Sequence, residues 1–362
     1  MSTPTPNVPV SRFSIMNVLI LAVPLALIVG AAWWYVNDQA DRAAQSSGDL
    51  SIFLKNNLIA PSKLDASFVD SGDLVAAPPQ DAKDQIDPPE LVFSVLGMDL
   101  KKEQSRFSEL TAHLEKVTGK KINLIVWEDS VDDQMKAMKD GQLHLALLST
   151  GSVSTAVNKG GIVPFCTLGD DTGKFGYSME IIVPAGSAIK SPADLKGKSI
   201  AYASAYSHSG FKAPIVILWK EFGLQPGRDY SAPIIGGQES VIEGVAKGEL
   251  IAGAVASDLL KRMTAGPSKL DSKSIRSIYK SSTFPPNCFG YAHQLKPELA
   301  AKIKIAFLEF PWKGSALEKE YAAAGQSKFV PISYKVDWAP IRQMDEQANQ
   351  LMTEALAVAK KK

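Results

Sequence analysis

Leu143-His144-Leu145-Ala146-Leu147-Leu148-Ser149-Thr150-Gly151-Ser152 is an apolar run that breaks into a hydroxyl-rich loop, and its neighbours make it the third strand of a β/α series. Toward the N-terminus, Val131, Met135 and Met138 mark a helix that ends at Gly141, and Ile122-Asn123-Leu124-Ile125-Val126-Trp127 is a further strand. Before it, Phe107, Leu110, Leu114 and Val117 fall at spacings of 3, 4 and 3, one face of a helix stopped by Gly119. Leu91-Val92-Phe93-Ser94-Val95-Leu96, closed by Gly97, is the first strand. This β-α-β-α-β order predicts a mostly parallel sheet with helices on both faces. Ligands of such sheets bind at loops beyond the carboxyl ends of the strands. Ser149, Thr150, Gly151 and Ser152 are therefore candidate binding residues. Stripes such as Phe107/Leu110/Leu114 and Ala348/Met352/Leu356 are assigned to core packing.

Toward the C-terminus the pattern changes at Ile181-Ile182-Val183-Pro184, where a second β/α series begins. It comprises a strand over Ser199 to Ala203, a helix from Phe211, a strand at Ile234-Ile235, a helix carrying Val241, Ile242 and Val245, and a strand over Ile251 to Val255. Ile278-Tyr279-Lys280 and Gly290-Tyr291-Ala292 are candidate return strands, followed by helices from Pro297 and after Trp338. Between the strand at 199 and the helix at 211 lies Ser204-Ala205-Tyr206-Ser207-His208-Ser209-Gly210. Such a loop brings hydroxyls and free backbone N–H groups to a helix N-terminus, where the positive end of the dipole favours an anion. The plain alternative is a serine N-cap, which is common.

The chain has 362 residues, enough for one large domain or two ordinary ones. Its 45% hydrophobic and 21% charged residues are those of a folded protein, and a net charge of +1 gives no reason to expect nucleic acid. Two cysteines, Cys166 and Cys288, exclude a cysteine-built zinc site and a disulfide-rich scaffold. They leave open either one bridge or two free thiols. His113, His144, His208 and His293 are scattered, and no Gly-rich nucleotide loop, metal-spaced His pair or nucleophile elbow occurs. No catalytic residue, metal or cofactor is expected.

Ile15 to Val36 is an uncharged run long enough to cross a bilayer core of roughly 30 Å. Arg12 is the only basic side chain before it, and Trp33, Trp34 and Tyr35 form an aromatic girdle at its far end. The expectation is a short cytoplasmic N-terminus over 1–14, a transmembrane anchor over 15–36, and the bulk of the chain outside the cytoplasm. A cleaved signal peptide, with Gly30-Ala31-Ala32 as its small-residue site, is the alternative. Residues 37–89 are polar with Pro pairs and read as a spacer.

Residues 91 to about 345 resemble the periplasmic solute-binding proteins of phosphate, phosphite and phosphonate ABC importers. The landmarks stand in the family's order. Thr118-Gly119-Lys120-Lys121 ends the first helix, and Met138-Lys139-Asp140-Gly141-Gln142-Leu143-His144-Leu145-Ala146 matches a strand entry. Ser191-Pro192-Ala193-Asp194-Leu195-Lys196-Gly197-Lys198, Ser207-His208-Ser209-Gly210 and Gly237-Gln238-Glu239-Ser240 follow, then Gly248-Glu249-Leu250-Ile251-Ala252, Pro285-Pro286-Asn287 and Leu295-Lys296-Pro297-Glu298-Leu299. The resemblance implies an α/β, two-lobed, type II periplasmic-binding-protein-like domain with a hinge crossed twice. The first lobe is expected over 90–180 and 285–362, the second over 181–284. It also implies a small oxyanion as ligand, an ABC permease as partner and a periplasmic place for the globular part, which together with the Ile15 to Val36 run gives a single-pass inner-membrane protein as the expectation. A ligand-sensing or scaffold protein on the same fold is the second reading.

The resemblance places Ser207, Ser209 and Gly210 on the oxyanion, with His208 either a donor or a solvated loop residue. Ser149 to Ser152 face the ligand from the first lobe, although Ser152 replaces a Pro frequent in the family. Trp127, at the end of the preceding strand, either fills the role of the aromatic that relatives carry near this loop or is a core or rim tryptophan. Gln238 and Glu239 stand where relatives often carry His-Asp or His-Glu. Ala256 stands where an acid is common, with Asp258 two residues on as a helix cap or a ligand contact. Loss of that acid speaks against an aminoalkylphosphonate and for a simpler oxyanion.

Overall fold

Alternation of short apolar runs with amphipathic helices leaves each run two faces to bury, and the chain does so by forming two sheets. A computed structural model describes residues 63–97, 99–127, 131–265 and 270–359, with side chains to 354. The Ile15 to Val36 run lies outside the described residues. Among the described residues no helix is long and apolar enough to cross a membrane.

The first sheet begins with β1 (Glu90–Val95), α1 (Leu100–Arg106), α2 (Ser108–Thr118), β2 (Lys121–Val126), α3 (Val131–Lys139), β3 (Leu145–Leu148), α4 (Val153–Gly160) and β4 (Ile162–Gly169). Asp99 starts α1 by accepting from the Lys101 and Lys102 N–H groups, and Gly119 ends α2 in the left-handed region at φ 74°. The chain then crosses to β5 (Tyr177–Pro184), α5 (Ala213–Phe222), α6 (Gln238–Ala246), β6 (Gly253–Ala256), α7 (Ser257–Ala265) and β7 (Ile275–Phe284). It returns through 285–287 to β8 (Cys288–Ala292), α8 (Pro297–Leu308), α9 (Ala316–Tyr321), β9 (Lys328–Pro331), α10 (Tyr334–Asp337) and α11 (Ala339–Ala359). The first sheet has the order β2-β1-β3-β8-β4-β9. β1 is parallel to β2 and β3, whereas β8 lies antiparallel between β3 and β4. A strand from after the second crossing is thus inserted into the sheet built before the first. The second sheet has the order β6-β5-β7, extended by parallel bridges Ala201↔Gly253, Ser199↔Ser231 and Tyr202↔Ile234.

Several elements differ from the sequence reading. β5 begins at Tyr177, so residues 177–180 belong to the second sheet rather than to the first lobe. The strands expected at 199–203 and 234–235 are extended segments held by single bridges, with Ile234 and Ile235 exposed. β6 starts at Gly253, two residues later than expected, and Ile251 is exposed. The helix expected from Phe211 is entered through a π-turn over His208–Lys212. From Lys63 onward the expected spacer packs against the first lobe. Ile86 bridges Leu295, Phe68 stacks edge-on against His293, and Asp73 accepts from Ser333 Oγ and the Tyr334 and Lys335 N–H groups.

The first-lobe core is aromatic. Phe307 of α8 contacts Phe165, Phe289 and Phe329 at ring distances of 5.1, 5.0 and 5.0 Å, in the cluster that buries Phe107, Leu110 and Leu114. Ala348 and Met352 are buried as the stripe requires. Cys166 and Cys288 are free and buried. Cys166 is registered with Phe289, and Cys288 with Thr167, so the two thiols leave opposite faces of the β4/β8 pair. The bridge left open by the sequence is therefore not made.

Candidate ligand-binding site

The two hydroxyl-rich loops meet. Ser149 Oγ lies 3.1 Å from the carbonyl oxygen of Tyr206 and 3.0 Å from Ser152 Oγ. Gly151 approaches so closely that a Cβ there would stand 2.4 Å from Tyr206 O and 2.8 Å from the His208 nitrogen. Only hydrogen fits at that point. The loop is also tied to the second crossing, because Thr150 Oγ1 donates to Pro285 O and the Thr150 N–H to Asn287 Oδ1.

On the second-lobe side, the loop ends in a cap. Ser207 Oγ accepts the Gly210 N–H at 3.0 Å, and the Lys212 N–H reaches back five residues to Ser207 O, which makes the first turn a π-turn. Gly210 is needed for close approach, since a Cβ would meet Ala203 Cβ at 2.7 Å and Ser207 Oγ at 2.8 Å. Gln238 opens α6 and reaches across to the loop. Its Nε2 donates to Ser207 Oγ at 2.9 Å and Ser209 Oγ at 3.2 Å, and its Oε1 accepts the Ala256 N–H at 2.6 Å. Tyr177, buried at the start of β5, lies beside the Thr150 and Ser209 side chains. Burial holds its hydroxyl well above the ordinary phenol range, so it stays protonated.

Of the expected site residues, Ser149, Thr150, Gly151, Ser152, Ser207, Ser209, Gly210 and Gln238 come together. His208 and Glu239 separate from them. The His208 ring is 2% exposed and packs edge-on against Phe284 at 4.4 Å. Burial, aided by Lys212, pushes its pKa down to about 3, so the ring is neutral. Glu239 is exposed on the first turn of α6. Trp127 is half-buried and lines a hollow with Asp133, Lys136 and Gln142 on the flank of α3. Asp258 sits within the first turn of α7 rather than before it, and burial raises its pKa against the opposing pull of Arg262.

The low pKa of His208 has a measurable consequence. An unfolded histidine titrates near 6.5, so between pH 6.5 and about 3 the unfolded chain holds a proton that the folded protein lacks. The stability that neutral His208 contributes is fully present above pH 6.5 and is lost as pH falls toward 3. His208→Phe is expected to flatten the fall in stability between pH 6 and 4 by up to about 1.4 kcal/mol per pH unit. Urea midpoints across that range check this, and parallel profiles would refute it.

Residues that the sequence reading missed tie the lobes together. Lys212 Nζ donates to Gly151 O at 2.9 Å and pairs with Asp345 Oδ1 at 3.3 Å, with side-chain exposures of 5% and 8%. At the other side, Arg262 of α7 pairs with Glu320 of α9 and lies 4.9 Å over the Tyr321 ring. Arg106 joins this cluster through Glu103 at 2.9 Å and Glu320 at 3.5 Å. A signal existed for Lys212, a lone charge heading the apolar run Ala213 to Leu218. Arg262 had none, because its partners lie about 60 residues on in sequence.

A two-sheet architecture with donor-rich loops facing each other at the strand ends can enclose an anion and needs no reacting group. Comparison with known proteins identifies the family. A family model for the periplasmic substrate-binding protein of the phosphonate ABC transporter matches residues 96–338. The phosphate-import protein PhnD of Mycolicibacterium smegmatis is 26% identical over 215 residues, covering 57% of this chain and 67% of that protein. A binding protein component of an ABC phosphonate transporter from Pseudomonas aeruginosa superposes with a TM-score of 0.62 at 18% identity, over 76% of this chain and 98% of its own. PhnD1 of Prochlorococcus marinus, solved with methylphosphonate, gives a TM-score of 0.61 at 15% identity, over 73% and 99%. The chain belongs to the family of periplasmic substrate-binding proteins of phosphonate ABC transporters.

Proposed function

We propose that this protein captures a small phosphorus oxyanion, of the phosphate, phosphite or simple phosphonate class, between its lobes and delivers it to an ABC permease. The observation that carries the reading is the pairing of the Ser207–Gly210 cap with the Ser149–Ser152 loop across the cleft. The Ser207 and Ser209 hydroxyls stand beside that contact with no acceptor of their own among the described residues, and hydroxyl donors suit an oxyanion desolvated by closure. Closure acts through the crossings at 170–176 and 285–287, and Thr150 links the first-lobe loop to the second of these. The Ile15 to Val36 run serves in this reading as a membrane tether. The Gln238 carboxamide and Ala256 bring no negative charge to the Ser207 hydroxyl, which favours an anion without an amine.

Calorimetric titration with phosphate, phosphite and methylphosphonate tests the proposal. Binding of at least one is expected, and Ser207→Ala and Ser209→Ala should each weaken it by about 1–3 kcal/mol through loss of a buried partner. Heatless titrations with all three anions would sink the proposal.

A further inference from the structure

The hydrogen-bond chain behind the loop sets the direction of the Ser207 proton. A backbone N–H only donates, so the oxygen of the Gln238 carboxamide must face Ala256, which it does at 2.6 Å. That fixes the Nε2 end toward Ser207 Oγ at 2.9 Å and Ser209 Oγ at 3.2 Å, and makes both serine oxygens acceptors. Ser207 Oγ also accepts the Gly210 N–H at 3.0 Å. A hydroxyl oxygen has two lone pairs, and those of Ser207 are both filled. The one capacity left to Ser207 is to donate its proton. Ser207 itself is half-buried, at the edge of the loop that meets Ser149 and Gly151, while Ser209 is 1% exposed.

The geometry points to Gln238 as a positioning residue that commits the Ser207 hydroxyl to donate, so that the site takes a ligand presenting an unprotonated acceptor oxygen to Ser207 and rejects one presenting an N–H or O–H there. This rests on the oxyanion reading above and adds to it the device that sets the sign of the site. The amide Ala256 N–H orients the carboxamide, the carboxamide orients the serine, and the serine faces the ligand. A carboxylate at 238 would keep the Ala256 contact but reverse the rest. With no proton to give, it would draw the Ser207 and Ser209 protons to itself and add a charge of the ligand's own sign.

The test uses phosphate, phosphite and methylphosphonate as probes against the full chain and its Ser207→Ala, Gln238→Met, Gln238→Glu and Ser207→Ala/Gln238→Met variants, with melting temperatures measured alongside. Gln238→Met is expected to weaken binding about tenfold, the scale of one hydrogen bond, and Gln238→Glu more than a hundredfold. Because Gln238 acts mainly through Ser207, its shorter contact, Gln238→Met should weaken binding less in the Ser207→Ala background than in the wild type. Additive losses, or a Gln238→Glu variant that binds like Gln238→Met, would overturn the inference. The hydrogen-bond chain is checked without ligand by exchange of the Ala256 amide, expected to speed up at least about tenfold in Gln238→Met but not in Gln238→Glu. Unchanged exchange in Gln238→Met overturns the inference even if the wild type binds an anion. Silence of the wild type toward all three anions overturns the oxyanion reading, and with it the role of Gln238 in selecting an acceptor ligand.

Discussion

Lys212→Met is expected to cost the folded protein about 3–5 kcal/mol, the scale for removing one partner of a buried ion pair. The lysine is held by three parts of the chain at once. It lies on the π-turn of the second lobe, donates to Gly151 O in the first-lobe loop, and pairs with Asp345 on α11. Deleting the ammonium leaves the Asp345 carboxylate, 6% exposed, without its counter-charge in a region of low dielectric. Much of the measured loss is thus the penalty of the stranded acid rather than the worth of the pair. The double variant Lys212→Met/Asp345→Leu should therefore recover most of the stability. Urea denaturation of the two single variants and the double completes the cycle. A loss below about 1 kcal/mol for Lys212→Met would mean that the pair behaves as a surface ion pair.

Gly151→Ala is expected to weaken anion capture by roughly ten- to a hundredfold, the scale of an overpacked contact of about 1–3 kcal/mol. The backbone at Gly151 is not among the positive-φ glycines, so alanine is tolerated by the local chain. The obstacle is across the cleft, where the new methyl would stand 2.4 Å from Tyr206 O and 2.8 Å from the His208 nitrogen. Those atoms belong to the other lobe. The clash is therefore specific to the state in which the loops touch, and a more open arrangement escapes it. The expected signature is weaker binding of methylphosphonate together with a larger radius of gyration in X-ray scattering. Unaltered affinity would show that capture does not require the loops to meet at this point.

Much of the fold was legible because the signals were local. Phe107, Leu110 and Leu114 repeat with the helical period and are 0–1% exposed, with Phe107 capping the helix that carries the two leucines, and Gly119 stops that helix in the left-handed region where glycine is least strained. The apolar runs at 91–96, 122–127 and 143–148 became β1, β2 and β3 with shifts of at most two residues. β9 and the short helices α9 and α10 were missed, since a four-residue strand such as Lys328–Pro331 carries too little periodicity to read. At the site, the serines of both loops were visible as composition. The His208 ring was open between an anion donor and a solvated loop residue, because whether a loop histidine faces solvent or the Phe284 ring depends on a strand more than 70 residues away.

The sequence by itself determined which residues could donate to an anion and that two β/α series would present them at strand ends. Periodicity and turn chemistry are short-range properties, and they survive without knowledge of the partner. The tertiary structure alone decided what those donors do. It brought Gly151 against Tyr206, set Gln238 between Ala256 and two serines, and buried Lys212 against Asp345 across 133 positions of chain. Hydrogen-bond direction and ion-pair burial depend on groups that meet only when the chain has folded back on itself, which no local pattern encodes.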